Sequence, residues 1–312
     1  MVPNSRSAPI SLVILTYNEE VNVPYLLESV KDWVGEIWVI DSFSTDKTLE
    51  ICRHYTDKIV QHPFENQAKQ FNWALDQVPI AHEWVMRLDA DERVTPELAQ
   101  EIASRVPTLS EDVTGIYLKR RVLFMGRWMR HGGYYPMWFL RIFRKGSGRY
   151  EELTEEHIVL SHGKTVQLKN DFIDENRKGL SFWVDKHNHW AIGEMRDVIS
   201  FRGEGQLPLH TVSPALFSTQ ERRRRWLKVR LYACLPLFLR AFLYFFYRYV
   251  IRLGFMDGKE GLIFHFLQGC WYRFLVDAKI YEAKKVGIRE AEKAREYTSS
   301  KPWELANPDR NK

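Results

Sequence analysis

Cysteine is scarce in this chain of 312 residues: only Cys52, Cys234 and Cys270 occur, odd in number and far apart. That excludes a disulfide framework, offers no zinc-ligand spacing and fits a reducing compartment. The opening residues, MVPNSRSAP, lack the apolar core of a signal peptide, so the catalytic part is expected in the cytoplasm. No G-x-G-x-x-G is present, and no G-x-x-x-x-G-K-[ST]. A dinucleotide oxidoreductase and a P-loop enzyme therefore have no support. Long apolar runs are missing as well. The longest unbroken ones cover 231–239 and 241–247, against the ~20 residues of a transmembrane helix. Spread-out basicity is also absent. Residues 221–260 hold ten Lys/Arg against three Asp/Glu, so the net charge of +5 is local to that segment and the rest is slightly acidic. This is a patch and not a general nucleic-acid footprint, and no nucleic-acid partner is expected.

What is present reads as a globular α/β protein, 45% hydrophobic and 27% charged. "SLVIL" (11–15), "EIWVID" (36–41), "DKIVQ" (57–61) and "EWVMRLD" (83–89) are short strand-like runs. Between them "VNVPYLLESVKDW" has helical spacing at Val23, Leu26, Leu27 and Val30. "STDKTLEICRHY" begins with a capping pattern, and "NQAKQFNWAL" (66–75) looks helical. Strands alternating with helices predict right-handed crossovers and a mostly parallel sheet. Ligands of such sheets sit outside the carboxyl ends of the strands. Thr16-Tyr17-Asn18-Glu19, Asp41-Ser42 and Asp89-Ala90-Asp91 all fall there. On a strand, Asp89 and Asp91 share one side. Two adjacent carboxylates call for a positive partner, and a hard divalent cation suits oxygen ligands. The alternative is a solvated strand-to-helix loop, because Thr95-Pro96-Glu97 reads as an N-cap, a Pro at N1 and a first-turn acid. A nucleotide has Asp41 available for a base edge and Glu19 for a ribose hydroxyl.

The stretches "SLVILTYNEE", "IWVIDSFSTDKT" and "WVMRLDADE", in that order and spacing, resemble the family 2 glycosyltransferases of GT-A fold. The resemblance covers about the first 200 residues. "LDADE", "TEEH" and "DKHNHWAIGE" make the chain look most like the branch that includes lipopolysaccharide-core β-1,4-glucosyltransferases. The resemblance implies an inverting hexosyltransferase that uses a nucleotide-diphospho-sugar, expected to be a UDP-sugar. It implies that Thr16, Tyr17, Asn18, Glu19 and Asp41 line the nucleoside. Asp89 and Asp91 would hold the sugar and a Mg2+ or Mn2+ bridging the diphosphate. In "QAKQFNWAL" many relatives carry a basic residue where this chain has Phe71, and Lys69 is the nearby substitute.

The middle of the chain is expected to supply the base, since an inverting attack needs one within reach of the acceptor hydroxyl. "TGIYLKRRVLFMGR" and "MWFLRIFRK" read as strands joined through "WMRHGGYYP". In "GRYEELTEEHIVL", Glu155 or Glu156 is the candidate base, and His157 a metal ligand or diphosphate contact; the alternative is a solvated acidic loop. Trp128, Tyr134 and Trp138 suit an acceptor stacking surface and equally suit buried anchors. "GLSFWVDKHNHWAIGEM" (179–195) is a helix with Lys186, His189 and Trp190 near one face. By the resemblance, Lys186 or His187 reaches the diphosphate.

The last third differs in composition. After the loop-like 202–219 comes "QERRRRWLKVRLYACLPLFLRAFLYFFYRYVIRLGF". Helical geometry gathers Arg240, Arg248 and Arg252 within about a third of the circumference, a basic stripe against a Leu/Phe/Tyr surface. "GLIFHFLQGCWYRFLVD" repeats the idea with His265, Gln268 and Tyr272. The pattern predicts amphipathic interfacial helices on an anionic membrane. The alternatives are core helices of a soluble domain or oligomer, or a transmembrane hairpin. The expected organisation is a GT-A domain (1–205), a basic aromatic helical region (206–285) and a charged tail (286–312). The expected acceptor is a glycan, lipid-linked, at the cytoplasmic face of the inner membrane, in lipopolysaccharide or surface-polysaccharide synthesis. The competing functions are a protein or peptide glycosyltransferase and a non-catalytic membrane-binding module. The Asp89/Asp91 pair speaks against the latter.

Overall fold

Strand β1 (Ala8–Thr16) shows how the sheet is made. Ile10, Leu12 and Ile14 belong to one face and Val13 to the other, and all four are fully buried. A strand covered on both faces belongs to a sheet between layers of helices. The computed structural model describes residues 8–151, 157–204 and 232–286, together with Gln220, Arg223, Trp226 and Leu227. In it β1 pairs in parallel with β2 (Val34–Asp41) and β4 (Trp84–Asp89), and β2 with β3 (Ile59–Gln61). Helices α1 (Val23–Val30), α2 (Thr48–Arg53) and α3 (Gln67–Gln77) connect these strands. α1 buries Val23, Leu26, Leu27 and Val30, the positions whose spacing predicts it. It shares a core with Ile10, Leu12 and Ile14, while α3 packs Ala68, Phe71 and Ala74 on the opposite face with Val13.

The second half of the sheet is mixed. β8 (Trp138–Arg144) runs antiparallel to β4, and β6 (Val113–Phe124) antiparallel to β8. β11 (Lys164–Asp174) is parallel to β6, and β5 (Glu92–Val94) closes the edge antiparallel to β11. The strand order is β3-β2-β1-β4-β8-β6-β11-β5, and β7 (Arg127–Trp128) pairs antiparallel with β6 off this path. A separate ribbon joins β9 (Gly148–Tyr150) to β10 (Ile158–Leu160). Helix α4 (Pro96–Arg105) starts as its sequence predicts, with the Thr95 hydroxyl accepting from Leu98 N at 3.2 Å. β5 was not expected: three residues between an acidic turn and an N-cap give no periodic signal.

One expectation needs correcting. β4 ends at Asp89, and Ala90 and Asp91 form the turn into β5. Strand alternation therefore stops at Asp89, and Asp91 reaches its position through a tight turn.

α5 (Gly179–Glu204) is longer than predicted. Beyond it, helix Leu239–Phe246 runs into a π-helical turn at Tyr247–Ile251, and helix Gly258–His265 continues through a π-helical turn into helix Tyr272–Val286. No helix among the described residues is long and apolar enough to cross a membrane. The basic surface stripe is a second correction. Arg240 and Arg248 are buried, and only Arg252 is exposed. Arg240 Nε donates to Asp277 Oδ1 at 2.8 Å. Arg248 Nε donates to the Gly132 carbonyl at 2.7 Å, with its guanidinium 3.7 Å from the Tyr134 ring centre. The Arg248 contacts bind the helices to the 129–136 loop, where Gly132 (φ +66) lies so close to His265 that a Cβ would fall 2.0 Å from the ring.

Candidate active site at the sheet edge

Parallel register places Thr16 opposite Asp41, Asp41 opposite Gln61, and Leu15 opposite Asp89. The loops after β1, β2 and β4 thus leave from one edge, as the sequence predicts. The first two are stitched together. Asn18 adopts φ 51, a left-handed conformation that asparagine tolerates. Its Oδ1 accepts from Thr45 N at 2.8 Å, and its own N–H donates to Ser44 Oγ at 2.9 Å. Glu19 N donates to Thr48 Oγ1 at 2.7 Å. Asp41 is fully buried and accepts from Thr16 Oγ1 at 3.0 Å, Ser44 N at 2.8 Å and Gln61 Nε2 at 3.1 Å. In this structure Asp41 organises the loops. Tyr17 is half-buried beside it, and burial raises its phenol above the ordinary value.

Glu19 turns toward the start of α5. Its carboxylate meets Lys178 Nζ at 2.6 Å and accepts from Asn22 Nδ2 at 2.8 Å. Burial raises the Glu19 carboxyl, against the pull of Lys178. Lys69 is exposed at the first turn of α3 and pairs with Glu65 at 2.5 Å. The α3 residue that meets Asp89 is Gln67, whose Nε2 donates to Oδ1 at 3.2 Å. Phe71 is fully buried against Tyr150 and Phe143.

The acidic turn sits among cations. Asp89 pairs with Arg87 at 2.7 Å and Arg141 at 3.4 Å. Burial pushes its carboxyl up, but Arg87 and Arg141, with Lys186 and Arg120, prevail and hold it below the usual value. Arg141 also pairs with buried Glu92, whose Oε2 accepts from Asp89 N at 3.0 Å. Burial, with Asp89 and Asp174 nearby, raises Glu92 to about 8 against the pull of Arg141. Asp91 Oδ2 accepts from Asn176 Nδ2 at 2.9 Å and lies 3.8 Å from Lys186 Nζ. Burial lowers the Lys186 ammonium, but Asp91, Asp89, Asp174 and Glu19 more than reverse this and keep it charged. Asp174, at the end of β11, pairs with Arg120 at 3.1 Å; burial raises its carboxyl, and the charges of Asp91 and Asp89 add to that.

The edge therefore gathers Asp89, Asp91, Lys186 and Glu19. It does not gather His187, which is buried, stacked 3.5 Å from Trp183 and faced by Tyr272. One residue after Lys186 is about 100° further round the helix, so His187 lies in the helical packing. Burial lowers its imidazole to about 4. His157 immediately precedes β10, with its carbonyl accepting from Glu151 N at 3.0 Å. Glu155 and Glu156 lie outside the described residues. Tyr134 is a buried anchor against Phe264, while Trp128 and Trp138 are half-buried beside Arg121 and Lys119. Sequence reading missed Arg87, Arg141, Gln67 and Asp174. Two of these carried a signal: Arg87 is two before Asp89 on a strand, and Arg141 interrupts the apolar run "WFLRIF".

Among the described residues no group of three or more His, Cys, Asp or Glu is disposed to hold a metal ion, so His157 does not complete such a set with Asp89 and Asp91. The two carboxylates fit a different mode. Mg2+ is often bound through one or two carboxylates, with substrate phosphates and water completing its shell. Asp91, less neutralised by cations than Asp89, is the stronger of the two candidates.

Residues 11–164 match the family Glycosyl transferase family 2, and over these residues the chain belongs to it. The chain is 29% identical over 154 residues to the lipopolysaccharide core biosynthesis glycosyltransferase LpsC of Rhizobium meliloti, covering 48% of this chain and 56% of that protein. It is 36% identical over 93 residues to an uncharacterized glycosyltransferase of Rickettsia bellii, covering 30% of this chain and 31% of the other. The chain thus spans little more than half the length of the first of these curated relatives and about a third of the second. The mannosyltransferase PcManGT from Pyrobaculum calidifontis, solved in complex with GDP-Man and Mn2+, superposes on 89% of this chain and 88% of its own with a TM-score of 0.53 at 14% identity. That likeness shows the GT-A-like fold: a mixed α/β sheet followed by helices.

Proposed function

We propose that the chain transfers a hexose from a nucleotide-diphospho-sugar, a UDP-sugar in the first place, to a lipid-linked glycan with inversion at the anomeric carbon. The observation that carries this reading is the Asp89–Asp91 turn at the edge of a family 2 sheet, with Lys186 Nζ 3.8 Å from Asp91. In such a transfer the acceptor hydroxyl oxygen attacks C1 as the bond from C1 to the diphosphate breaks. The hydroxyl proton passes to a base, and the nucleoside diphosphate leaves with the bonding pair. Fixed positive charge at the leaving group lowers that barrier, and Lys186 is the candidate for it. Arg87 and Arg141 keep Asp89 ionised and oriented, suited to accept hydrogen bonds from sugar hydroxyls. A Mg2+ or Mn2+ held by Asp91 with Asp89 would neutralise charge on the diphosphate. Glu155 and Glu156 remain the candidates for the base.

The relationship to a lipopolysaccharide core transferase supports an acceptor of that class, met at the cytoplasmic face of the inner membrane. The test is release of nucleoside diphosphate from UDP-glucose, UDP-galactose, UDP-GlcNAc and GDP-mannose with Mn2+, with and without lipid-linked glycan acceptors. Asp91→Ala is expected to lower turnover by about 10²–10³-fold, as for loss of an electrostatic stabiliser. Undiminished turnover in that variant, or no turnover of any nucleotide-sugar by the wild type, contradicts the proposal.

A further inference from the structure

The helices after Leu239 bury an apolar core of Tyr272, Val276, Ile280 and Ala283 against α5, yet they also carry a second apolar face that is exposed. Sixteen of the 24 large apolar side chains exposed among the described residues lie between Leu239 and Val286. Phe242, Phe246, Ile251 and Phe255 are all about half exposed, on successive turns. Charge goes the other way. Arg240, Arg248, Asp257, His265 and Asp277 are buried. A small cavity of about 30 Å³ at this interior is lined by Glu194, Arg240, Arg273 and Asp277. Water-facing proteins rarely show contiguous apolar surface on this scale without something to cover it.

We propose that this face is seated in the apolar part of one leaflet of a lipid bilayer, with the turn at Arg252–Lys259 meeting anionic headgroups. Three observations select lipid as the occupant. From Leu239 to Tyr272 the exposed charged residues are Arg252 and Lys259, both cations at one turn; the acids of this stretch are buried Asp257 and half-buried Glu260, which faces Arg127 at 3.8 Å. Between Leu239 and Ile251 the only exposed side chain with a hydrogen-bonding group is Tyr247, whereas a protein interface makes about one hydrogen bond per 100–200 Å². The helical run from Leu239 to Ile251 is ~20 Å long at ~1.5 Å per residue, short of the ~30 Å hydrocarbon core. It has the length to lie in one leaflet and not to cross two.

This seat gives the lipid-linked acceptor of the proposed reaction a surface, and it rests on that reading only for its purpose. The polar side of the same helices holds the 129–136 loop through Arg248 and Asp257, and His131 Nδ1 lies 2.6 Å from Asp257 Oδ1. α5 joins the two regions, with Lys186 at the acidic turn and His187 against Tyr272.

Flotation of the full chain with vesicles tests the seat without any sugar transfer. The wild type is expected to bind zwitterionic phosphatidylcholine vesicles and to stay bound at high salt, because burial of apolar surface is not screened. The combined variant Phe242→Gln, Phe246→Gln, Ile251→Gln and Phe255→Gln is expected to lower the partition coefficient at least about tenfold. Should that variant fail to fold, a nitroxide on Leu243→Cys in a Cys234→Ser background reads the same face. It should collide more with oxygen than with a water-soluble nickel chelate once vesicles are present. Binding only to anionic vesicles and release by salt would overturn the proposal in favour of the basic segment 221–225. A chain that ignores vesicles would overturn it too, with a dimer in solution naming a second copy as the cover and a monomer with a shielded nitroxide naming residues 205–231. Vesicle binding without turnover of any nucleotide-sugar would contradict the transferase reading and leave this one standing.

Discussion

The sheet edge and the C-terminal helices both bury ion pairs, but only the helices leave a broad apolar face exposed. At the edge, apolar side chains fill the sheet's two cores, and the charged groups, buried Arg87, Arg141 and Glu92 with Asp89, Asp91 and Lys186, gather at the strand ends. In the helices, the Arg240–Asp277 pair is buried beside the apolar cluster of Tyr272, Val276 and Ile280, while Phe242 and Phe246 face outward. The difference teaches that amphipathic spacing defines two faces of a helix, and the surroundings decide which is inside.

The comparison breaks most readily at the buried ion pair. Asp277→Ala leaves Arg240 buried without its carboxylate and should cost about 3–5 kcal/mol, read by denaturant unfolding. Replacing Arg240 and Asp277 together by leucine should cost far less, because no uncompensated charge remains. Equal losses in the two variants would mean that packing, and not charge, holds this interior.

Acid sharpens the comparison next. Burial lowers both His187 and His265 to about 4; the neighbouring Arg248 adds to this for His265, while Asp257 pulls the other way. With folded values below the unfolded ~6.5, the native state binds fewer protons in that window. The stability they contribute is present above pH 6.5 and is lost as pH falls toward 4, on the order of 3 kcal/mol for each imidazole. Asp89, held below the usual carboxylate value, stays ionised through most of this range. Tryptophan fluorescence and far-ultraviolet circular dichroism followed from pH 7 to pH 4 should show the helices loosening, and His187→Gln should flatten that dependence. A pH-independent unfolding midpoint in the wild type would contradict the buried neutral histidines. The smallest effect is expected from Phe246→Gln in water without lipid: within about 0.5 kcal/mol of the wild type, as for a surface substitution. A larger loss would show that Phe246 packs against protein.

Much of the edge was legible from sequence because parallel strands followed by polar residues leave little choice of where those residues go. Val23, Leu26, Leu27 and Val30 also declared their helix and its buried face. What was not legible came from far along the chain or from the direction of a face. Asp174 joins the acidic turn from the end of β11, some 80 residues later in the chain. Asp91 looked like a strand residue because the turn after Asp89 carries neither Gly nor Pro. Arg240 and Arg248 were assigned to one face of a helix, and both are turned inward. Spacing alone gave no sign that this face is the interior.

The central claim is that the Asp89–Asp91 turn of a family 2 transferase receives a nucleoside diphosphate together with a divalent cation. Calorimetric titration of UDP into the full chain, with and without Mn2+, tests it most directly. The account predicts tight binding only with Mn2+, and loss of that dependence in Asp91→Ala. UDP affinity that is the same with and without the metal, or no UDP binding in either case, would contradict it.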